Sequence, residues 1–333
     1  MKKLLLALSA TALFAGSVAA QVTISGSAEA GIRSSVAHVT SIGGTKSDRN
    51  QITFAGREDL GNGLSANFIL QNRFDISNGG STQTNSVTST SPETFEQSAI
   101  GLSSKSLGTV KIGRFTNIMG VNGYRYWLQE DSPYGATETV QFSRLSGQVE
   151  YTTPKFMGIT YTVTKADLAS NKFITFAAGG GTTTTTDISA SGNDLTAHTL
   201  TYDQGPLFVA YSRVSGFAGE GSTRLAGAYR LNNNIRLAAG QFDQREPWQT
   251  QLAHKNNYYG IEYATGPWVT AVTYSKADNK AAATHTGNVE KTGVKAYYSL
   301  SKRTTLQAEV GQTKNTTAAL DGTAYFLGVR HTF

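Results

Sequence analysis

Residues 51–75 read QITFAGREDLGNGLSANFILQNRFD. Along Gln51–Asp59, Ile52 and Phe54 fall on one face, while Thr53, Ala55 and Arg57 fall on the other. Along Leu64–Asp75 the apolar face is Leu64, Ala66, Phe68 and Leu70, and Ser65, Asn67, Ile69, Gln71 and Arg73 oppose it. Only Gly61-Asn62-Gly63 lies between, a tight-turn sequence. A period of two on both sides of such a turn is the pattern of an antiparallel hairpin.

Outward from this hairpin the alternation repeats to the last residue. It predicts sixteen strands, near 22–34, 49–60, 64–75, 95–103, 109–115, 143–153, 159–168, 195–203, 207–215, 222–231, 235–244, 257–264, 268–277, 291–300, 304–313 and 323–333. Their connections alternate in length. Short ones fall at 61–63, 104–108, 154–158, 203–206, 232–234, 265–267 and 301–303, and the long ones include 35–48, 76–94, 116–142 and 169–194. Sorting of loops by length onto two sides is the anatomy of a transmembrane β-barrel, and a soluble sandwich has no reason for it. Proline cannot donate to a ladder. All six prolines avoid the strands: Pro92, Pro133 and Pro247 fall in long loops, and Pro154, Pro206 and Pro267 in short turns. The run GGGTTTTT at 179–186 lacks the Lys-Ser/Thr ending of a phosphate loop and reads as an external loop.

The ends fit the same picture. Residues 1–20, MKKLLLALSATALFAGSVAA, pair a basic start with a short apolar stretch and a small-residue cleavage sequence, which predicts a removed signal peptide followed by a single barrel domain over 21–333. Loss of Lys2 and Lys3 lowers the net charge from +6 to +4. No basic run with interleaved aromatics points to nucleic acid. Cysteine is absent, so disulfides and thiolate metal sites are excluded. Beyond residue 20 no stretch approaches the roughly 18 apolar residues of a membrane helix, and mean hydropathy is −0.27. At the other end Tyr325, Leu327, Val329, His331 and Phe333 share one face, and pairing of the last strand with the first removes both sheet edges.

Alternation turns Arg33, Arg57 and Arg73 away from lipid, together with Arg224, Arg230, Arg236, Lys295 and Arg330. Strict alternation from Val110 and Ile112 would point Arg114 at lipid, but Gly113 can host a bulge or end the strand, and either turns Arg114 inward. Arginine on the lipid face at mid-membrane costs about 2–4 kcal/mol, a cost that a water-filled lumen largely avoids, and rings of charge lining a pore select ions. Arg224, Arg230, Arg236, Lys295 and Arg330 read as a solvated lumen wall. The histidines (His38, His198, His254, His285 and His331) have no metal-ligand spacing, so neither a catalytic site, a metal site nor a cofactor is expected.

The chain resembles the Gram-negative general porins, most closely the beta-proteobacterial and neisserial type. The carriers are VTISGSAEAGIR at 22–33, FAGREDLGNG at 54–63, SAIGLSSKSLGTVKIGR at 98–114, VEYTTPKF at 149–156 and the terminal VRHTF at 329–333. The resemblance implies a homotrimeric sixteen-stranded channel for ions and small hydrophilic solutes. Its environment is outer-membrane lipid and lipopolysaccharide, and Phe333 acts as the signal read by the barrel-assembly machinery. It also implies that the third long loop, Thr116–Phe142, folds inward and sets acidic residues against an arginine wall. Here the loop offers Glu130, Asp131 and Glu138, any of which can occupy the narrowest point, and the wall offers Arg33, Arg57, Arg73 and Arg114. The glycine-glycine-acidic signature of some enteric relatives is replaced by Asp131-Ser-Pro-Tyr-Gly135. With Glu29 also inward, the near balance of charge leads to an expectation of weak anion preference. The other readings weighed are a substrate-selective sugar or anion channel, a structural or adhesive barrel, and a barrel enzyme.

Overall fold

The computed structural model describes residues 21–34, 39–44, 50–80, 95–116, 126, 128, 144–166, 172–175, 184–187, 194–216, 221–246, 252–280, 288–315 and 321–333. Its strands are β1 (Gln21–Ser34), β2 (Thr40–Gly43), β3 (Gln51–Gly61), β4 (Leu64–Arg73), β5 (Gln97–Ser104), β6 (Gly108–Thr116), β7 (Arg144–Thr152), β8 (Ile159–Ala166), β9 (Lys172–Thr175) and β10 (Thr184–Asp187). They continue with β11 (Leu195–Gln204), β12 (Leu207–Gly216), β13 (Thr223–Arg230), β14 (Ile235–Glu246), β15 (Leu252–Thr265), β16 (Trp268–Lys280), β17 (Val289–Ser299), β18 (Thr304–Asn315) and β19 (Gly322–Thr332). Residues 1–20, read above as an expected signal peptide, lie outside the described residues.

Every pairing in the main sheet is antiparallel and joins consecutive strands, apart from β1 with β3, β8 with β11, and β1 with β19, which closes the ring. The β2 and β3 segments share one position. Thr40–Gly43 pairs with the upper part of β1 and Gln51–Arg57 with its lower part. The β9–β10 hairpin forms a separate two-stranded sheet. Sixteen positions therefore make up the barrel, as the alternation predicts. Two of the predicted long loops carry extra structure, the β2 segment in 35–48 and the hairpin in 169–194.

Side chains sort as lipid and water require. Outward residues such as Leu225 (55% exposed) and Tyr259 (54%) are apolar or amphipathic, whereas inward Ser212 is 0% and Thr164 1% exposed. Such a sorting fits a barrel with an apolar outer band and a polar interior. Outward Tyr151, Tyr161, Tyr202, Tyr229, Tyr263 and Trp268 stand toward the short-turn ends of their strands, where a girdle meets the membrane interface.

The closing seam shows how lipid disciplines the backbone. Beyond the β1–β19 ladder, Gly26 N–H donates to Phe333 O at 3.0 Å and Phe333 N–H donates to Gly26 O at 3.1 Å. A Cβ at Gly26 would stand 2.6 Å from the Phe333 ring, so the terminal aromatic lies directly over the glycine. Where β2 and β3 are interrupted, side chains supply the missing bonds. Glu29 N–H donates to Asn50 Oδ1 at 2.6 Å, and Arg33 donates from Nη1 to Gly44 O at 2.8 Å.

The bulge expected at Gly113 is present. Gly113 opposes Gln148 and Phe115 opposes Leu145, with a register shift between them. Gly113 has φ +136°, and a Cβ there would lie 2.2 Å from Ser98 O. Gly205 also has positive φ, +60°, but open space surrounds it. Gly113→Ala is therefore expected to cost about 1–3 kcal/mol more than Gly205→Ala. The temperature at which the folded band is lost on a detergent gel checks this, and equal losses would mean that the bulge carries no strain.

Candidate functional site

The lumen wall is built from alternate residues of every strand, so its chemistry follows from which side chains the register sets side by side. On β3–β6 it is a run of neutral hydrogen bonds. Gln71 Nε2 donates to Thr53 Oγ1 at 3.0 Å, Gln97 Nε2 to Gln71 Oε1 at 2.8 Å, and Thr116 N–H to Gln97 Oε1 at 3.2 Å. Above it Arg73 pairs with Glu96 at 3.1 Å, with both side chains buried. Removal of either partner would strand a buried charge. Lys111 pairs with Glu150 at 2.9 Å and lies over the Phe115 ring at 3.9 Å.

The opposite wall is charged. Glu262 on β15 takes Arg236 Nη2 on one oxygen at 3.1 Å and Lys295 Nζ on the other at 2.9 Å. The Tyr297 hydroxyl donates to Glu309. Between these polar zones the inward positions of β12–β16 carry Ala210, Ala226, Ala228, Ala238 and Ala271. Small side chains there leave a recess, and Tyr126 and Leu128 of the third long loop fill it, each 0% exposed. The Leu128 N–H donates to the Tyr258 hydroxyl at 2.8 Å, and the two tyrosine rings meet edge to face at 6.0 Å. Two residues of the loop that follows β6 therefore sit inside the lumen against the far wall, and Tyr126 is a packing anchor there.

The sequence-derived arginines divide. Arg33, Arg73 and Arg114 come to the long-loop ends of β1, β4 and β6. Arg114 is buried, 9% exposed, and donates to Ser146 Oγ at 3.0 Å. Arg33 is bound to Ser41 and Gly44. Hydrogen bonds from the Ser77 hydroxyl and backbone N–H hold the Asp75 carboxyl below the usual carboxylate range, and the nearby charge of Arg33 adds a smaller contribution. Arg57 stands apart. It is exposed, opposes Gln21, and sits four residues before Gly61 at the short-turn end. Glu130, Asp131 and Glu138 lie outside the described residues. Phe333 stays half-exposed over the seam.

Arg224 departs from its reading as solvated wall. It is 1% exposed and is held between the Phe242 ring at 5.1 Å and the Tyr126 ring at 5.9 Å. Desolvated between aromatic faces, it fastens the loop rather than meeting water. Alternation places Tyr258 inward, as the structure has it, but sequence reasoning passed over Glu96 and Glu262. The alternation of alanines at inward positions of β13 and β14 is the one signal that marks the recess.

Comparison with known proteins bears on this arrangement. The Gram-negative porin family model matches residues 7–318. Among curated relatives, the major outer membrane protein P.IB of Neisseria lactamica is 26% identical over 371 residues, covering 100% of both chains. P.IB of Neisseria meningitidis serogroup B is 29% identical over 176 residues, covering 50% of each chain. An outer membrane porin of Bordetella pertussis is 30% identical over 47% of this chain and 39% of its own. The matched region thus spans about half the length of the meningococcal relatives. Among solved structures, the anion-selective porin from Comamonas acidovorans aligns with TM-score 0.68 and 19% identity, covering 94% of this chain and 100% of its own. A loop-deleted OmpT of Vibrio cholerae aligns with TM-score 0.66 and 12% identity over 95% and 100%. At these identities the structural likeness is one of fold. The family match spans nearly the whole chain, and the closed barrel agrees with it: the protein belongs to the Gram-negative porin family and resides in the outer membrane.

Proposed function

We propose that the barrel is a general diffusion porin that passes ions and small hydrophilic solutes, works as a homotrimer and prefers anions weakly. The observation that carries this reading is the pinned loop: Tyr126 and Leu128 cross to the far wall and narrow a polar lumen without sealing its chemistry to one substrate. Of the inward aromatics, Phe208 and Tyr258 belong to the cluster that receives the loop and Phe242 meets it through Arg224, so they serve loop packing, while Phe115, Tyr297 and Phe326 are buried outside that cluster. Such an arrangement does not favour the aromatic track a sugar-selective channel would use.

Selectivity follows from the local sum of charge, because charges more than about 8 Å away are screened at physiological salt. Arg73 and Lys111 are each neutralised by a carboxylate, and Glu262 is shared by two cations. The two cations on one carboxylate leave a modest basic surplus on that wall, and Arg33 and Arg114 stand at the long-loop ends of β1 and β6. In this reading Glu130, Asp131 and Glu138 oppose them across the gap and hold the preference small. The Comamonas acidovorans porin of like fold is anion-selective by its name.

Trimerisation is supported by where tyrosine and tryptophan stop. Residues 21–116 contain neither. The outward faces there are Val22, Ile24, Gly26, Ala28, Ala30 and Ile32 on β1, with Ile100, Leu102 and Ile112 nearby. An interface girdle would need tyrosine or tryptophan at those heights, whereas these strands, aliphatic apart from Phe54 and Phe68, suit contact with another protomer. We further propose cleavage after Ala20, tested by an outer-membrane form whose N-terminus reads Gln-Val-Thr-Ile. In the same reading the exposed Phe333 is the feature that the assembly machinery engages.

Two experiments follow. Tyr258→Phe removes the acceptor for the Leu128 N–H, at a cost of about 1–3 kcal/mol. The expected result is a larger or noisier single-channel conductance, and an unchanged one would mean that the loop is held elsewhere. Under a salt gradient the wild type should insert in multiples of three and show a small anion-directed reversal potential. The Arg33→Ala, Arg114→Ala double variant should move that potential toward cations. A cation-selective wild type, or a double variant with an unmoved potential, would refute the charge assignment.

A further inference from the structure

Two arginines meet on the lumen face of β13 and β14, beside the turn that joins these strands. Arg230 and Arg236 stand directly opposite each other in the ladder, and both continue the inward series of Ala226, Ala228 and Ala238. Side chains of such a pair start about 5 Å apart, and like charges there repel. The backbone nevertheless holds them in place. Arg230 N–H donates to Pro206 O at 2.9 Å. In the turn, Asn232 Oδ1 accepts from the N–H groups of Asn234 at 2.9 Å and Ile235 at 2.8 Å, and Asn234 Nδ2 donates to Ala264 O at 2.7 Å. Both arginines are thus carried on rigid backbone tied to the neighbouring strands, the kind of support a binding site requires.

Counter-charge is short at this corner. Glu262 takes Arg236 on one oxygen and Lys295 on the other. Glu309, opposite Lys295 in register, accepts from the Tyr297 hydroxyl. Toward β11 the next inward acid is Asp203, which Lys155 meets at 3.8 Å. Arg230 is exposed and makes no ion pair or side-chain hydrogen bond among the described residues. The Arg236 side chain stays partly open to the lumen, 29% exposed.

The place matters as much as the charge. Glu262 is the next inward residue after Gly260, against which Leu128 packs. The arginine pair therefore lies just to the short-turn side of the loop anchor, at the other end of the lumen from Arg33 and Arg114. Two guanidinium groups so close together select by shape as well as by charge. Each offers a planar fork of N–H donors. A carboxylate has two oxygens and is filled by one fork. A phosphate group carries nearly two charges and at least three acceptor oxygens, enough to engage both arginines at once.

We propose that Arg230 and Arg236 form a phosphate-binding station at the short-turn mouth of the lumen, used by inorganic phosphate and small phosphate monoesters in passage. Two phosphate oxygens accept from the Arg230 fork, and a further oxygen accepts from the Arg236 donors that Glu262 leaves. The Glu262 carboxylate beside the site repels the bound dianion and keeps its stay short, as conduction requires of any site within a pore. The inference rests on the porin reading and deepens it by naming a class of solute and the place that receives it.

The test is block of chloride current through the full-length protein in planar bilayers, at constant ionic strength and slightly alkaline pH, by inorganic phosphate, glycerol phosphate or succinate. Phosphate and glycerol phosphate should block at similar concentrations, and succinate should need several-fold more. Arg230→Gln should raise the half-blocking phosphate concentration about tenfold, the loss expected for one charge-assisted fork. Arg236→Lys, which keeps the charge beside Glu262 but not the fork, should raise it several-fold. Lys302→Gln, in the exposed turn between β17 and β18, should stay within twofold of wild type. An unmoved half-blocking concentration in Arg230→Gln, an equal rise in Lys302→Gln, succinate as effective as phosphate, or glycerol phosphate without effect would overturn the station. Broadening of the phosphorus NMR line of phosphate by the folded protein in detergent reads binding without conduction. A wild type that broadens the line through Arg230 but forms no channel would refute the porin reading and leave the station standing. Channels that carry chloride unblocked by phosphate would do the reverse.

Discussion

Hydrocarbon offers a backbone no hydrogen-bond partner, and the rest of this structure depends on that constraint. An open sheet edge in lipid would leave a row of amides and carbonyls unpaired, each costing several kcal/mol. The first and last strands therefore pair, and the ladder continues to the final residue through Gly26 and Phe333. Where it breaks, between Gly43 and Gln51, Asn50 and Arg33 donate or accept in place of the missing rungs. The same constraint explains why, among the described residues, the prolines (Pro154, Pro206 and Pro267) sit outside the strands, and why the Gly113 bulge falls at the long-loop end of β6, where Arg114 turns to Ser146.

Closure fixes an outside and an inside, and the inside must then be filled, wetted or crossed. This lumen does all three. Glutamine, serine and threonine line the β3–β6 wall and bond to one another. Charged groups on β14–β18 share counter-charges, so that the wall is polar without a large net field. The alanine recess receives the loop. Its two described residues are held by three different interactions: apolar burial, one buried hydrogen bond, and an arginine between aromatic faces. Anchorage of that kind lets a loop narrow a pore while the rest of the lumen stays open to water.

How much of this was legible in the sequence depends on what a period of two encodes. It encodes the face of each residue, and so the sixteen strands, the turn side and the inward set were readable from segments such as Gln51–Asp75. It does not encode height along the barrel or the neighbour across it. Arg57 therefore read as a partner of Arg33 and Arg73, although its register opposite Gln21 places it near the short turns. Arg224 read as wetted for the same reason, since the loop that covers it comes from a hundred residues earlier in the chain. The break in the second strand was hidden because Thr40–Gly43 is too short to show alternation. Gly113 was legible, because a glycine at the point where alternation would send an arginine into lipid is a local conflict with a local solution.

The central claim is that the third long loop crosses the lumen and docks at Gly260 and Tyr258. A Cβ at Gly260 would stand 3.3 Å from Leu128 Cγ, the place a cysteine Sγ at position 128 would take, which is close enough for a sulfur carried on residue 260 to bond it. The chain has no cysteine of its own to interfere. The most direct measurement is disulfide formation in a Leu128→Cys, Gly260→Cys variant expressed in the oxidising outer membrane. The account predicts a spontaneous, near-complete crosslink and a conductance close to that of the wild type, because the bond would hold the loop where it already rests. Free thiols under oxidising conditions, or a crosslink that forms only with a large change in conductance, would contradict it.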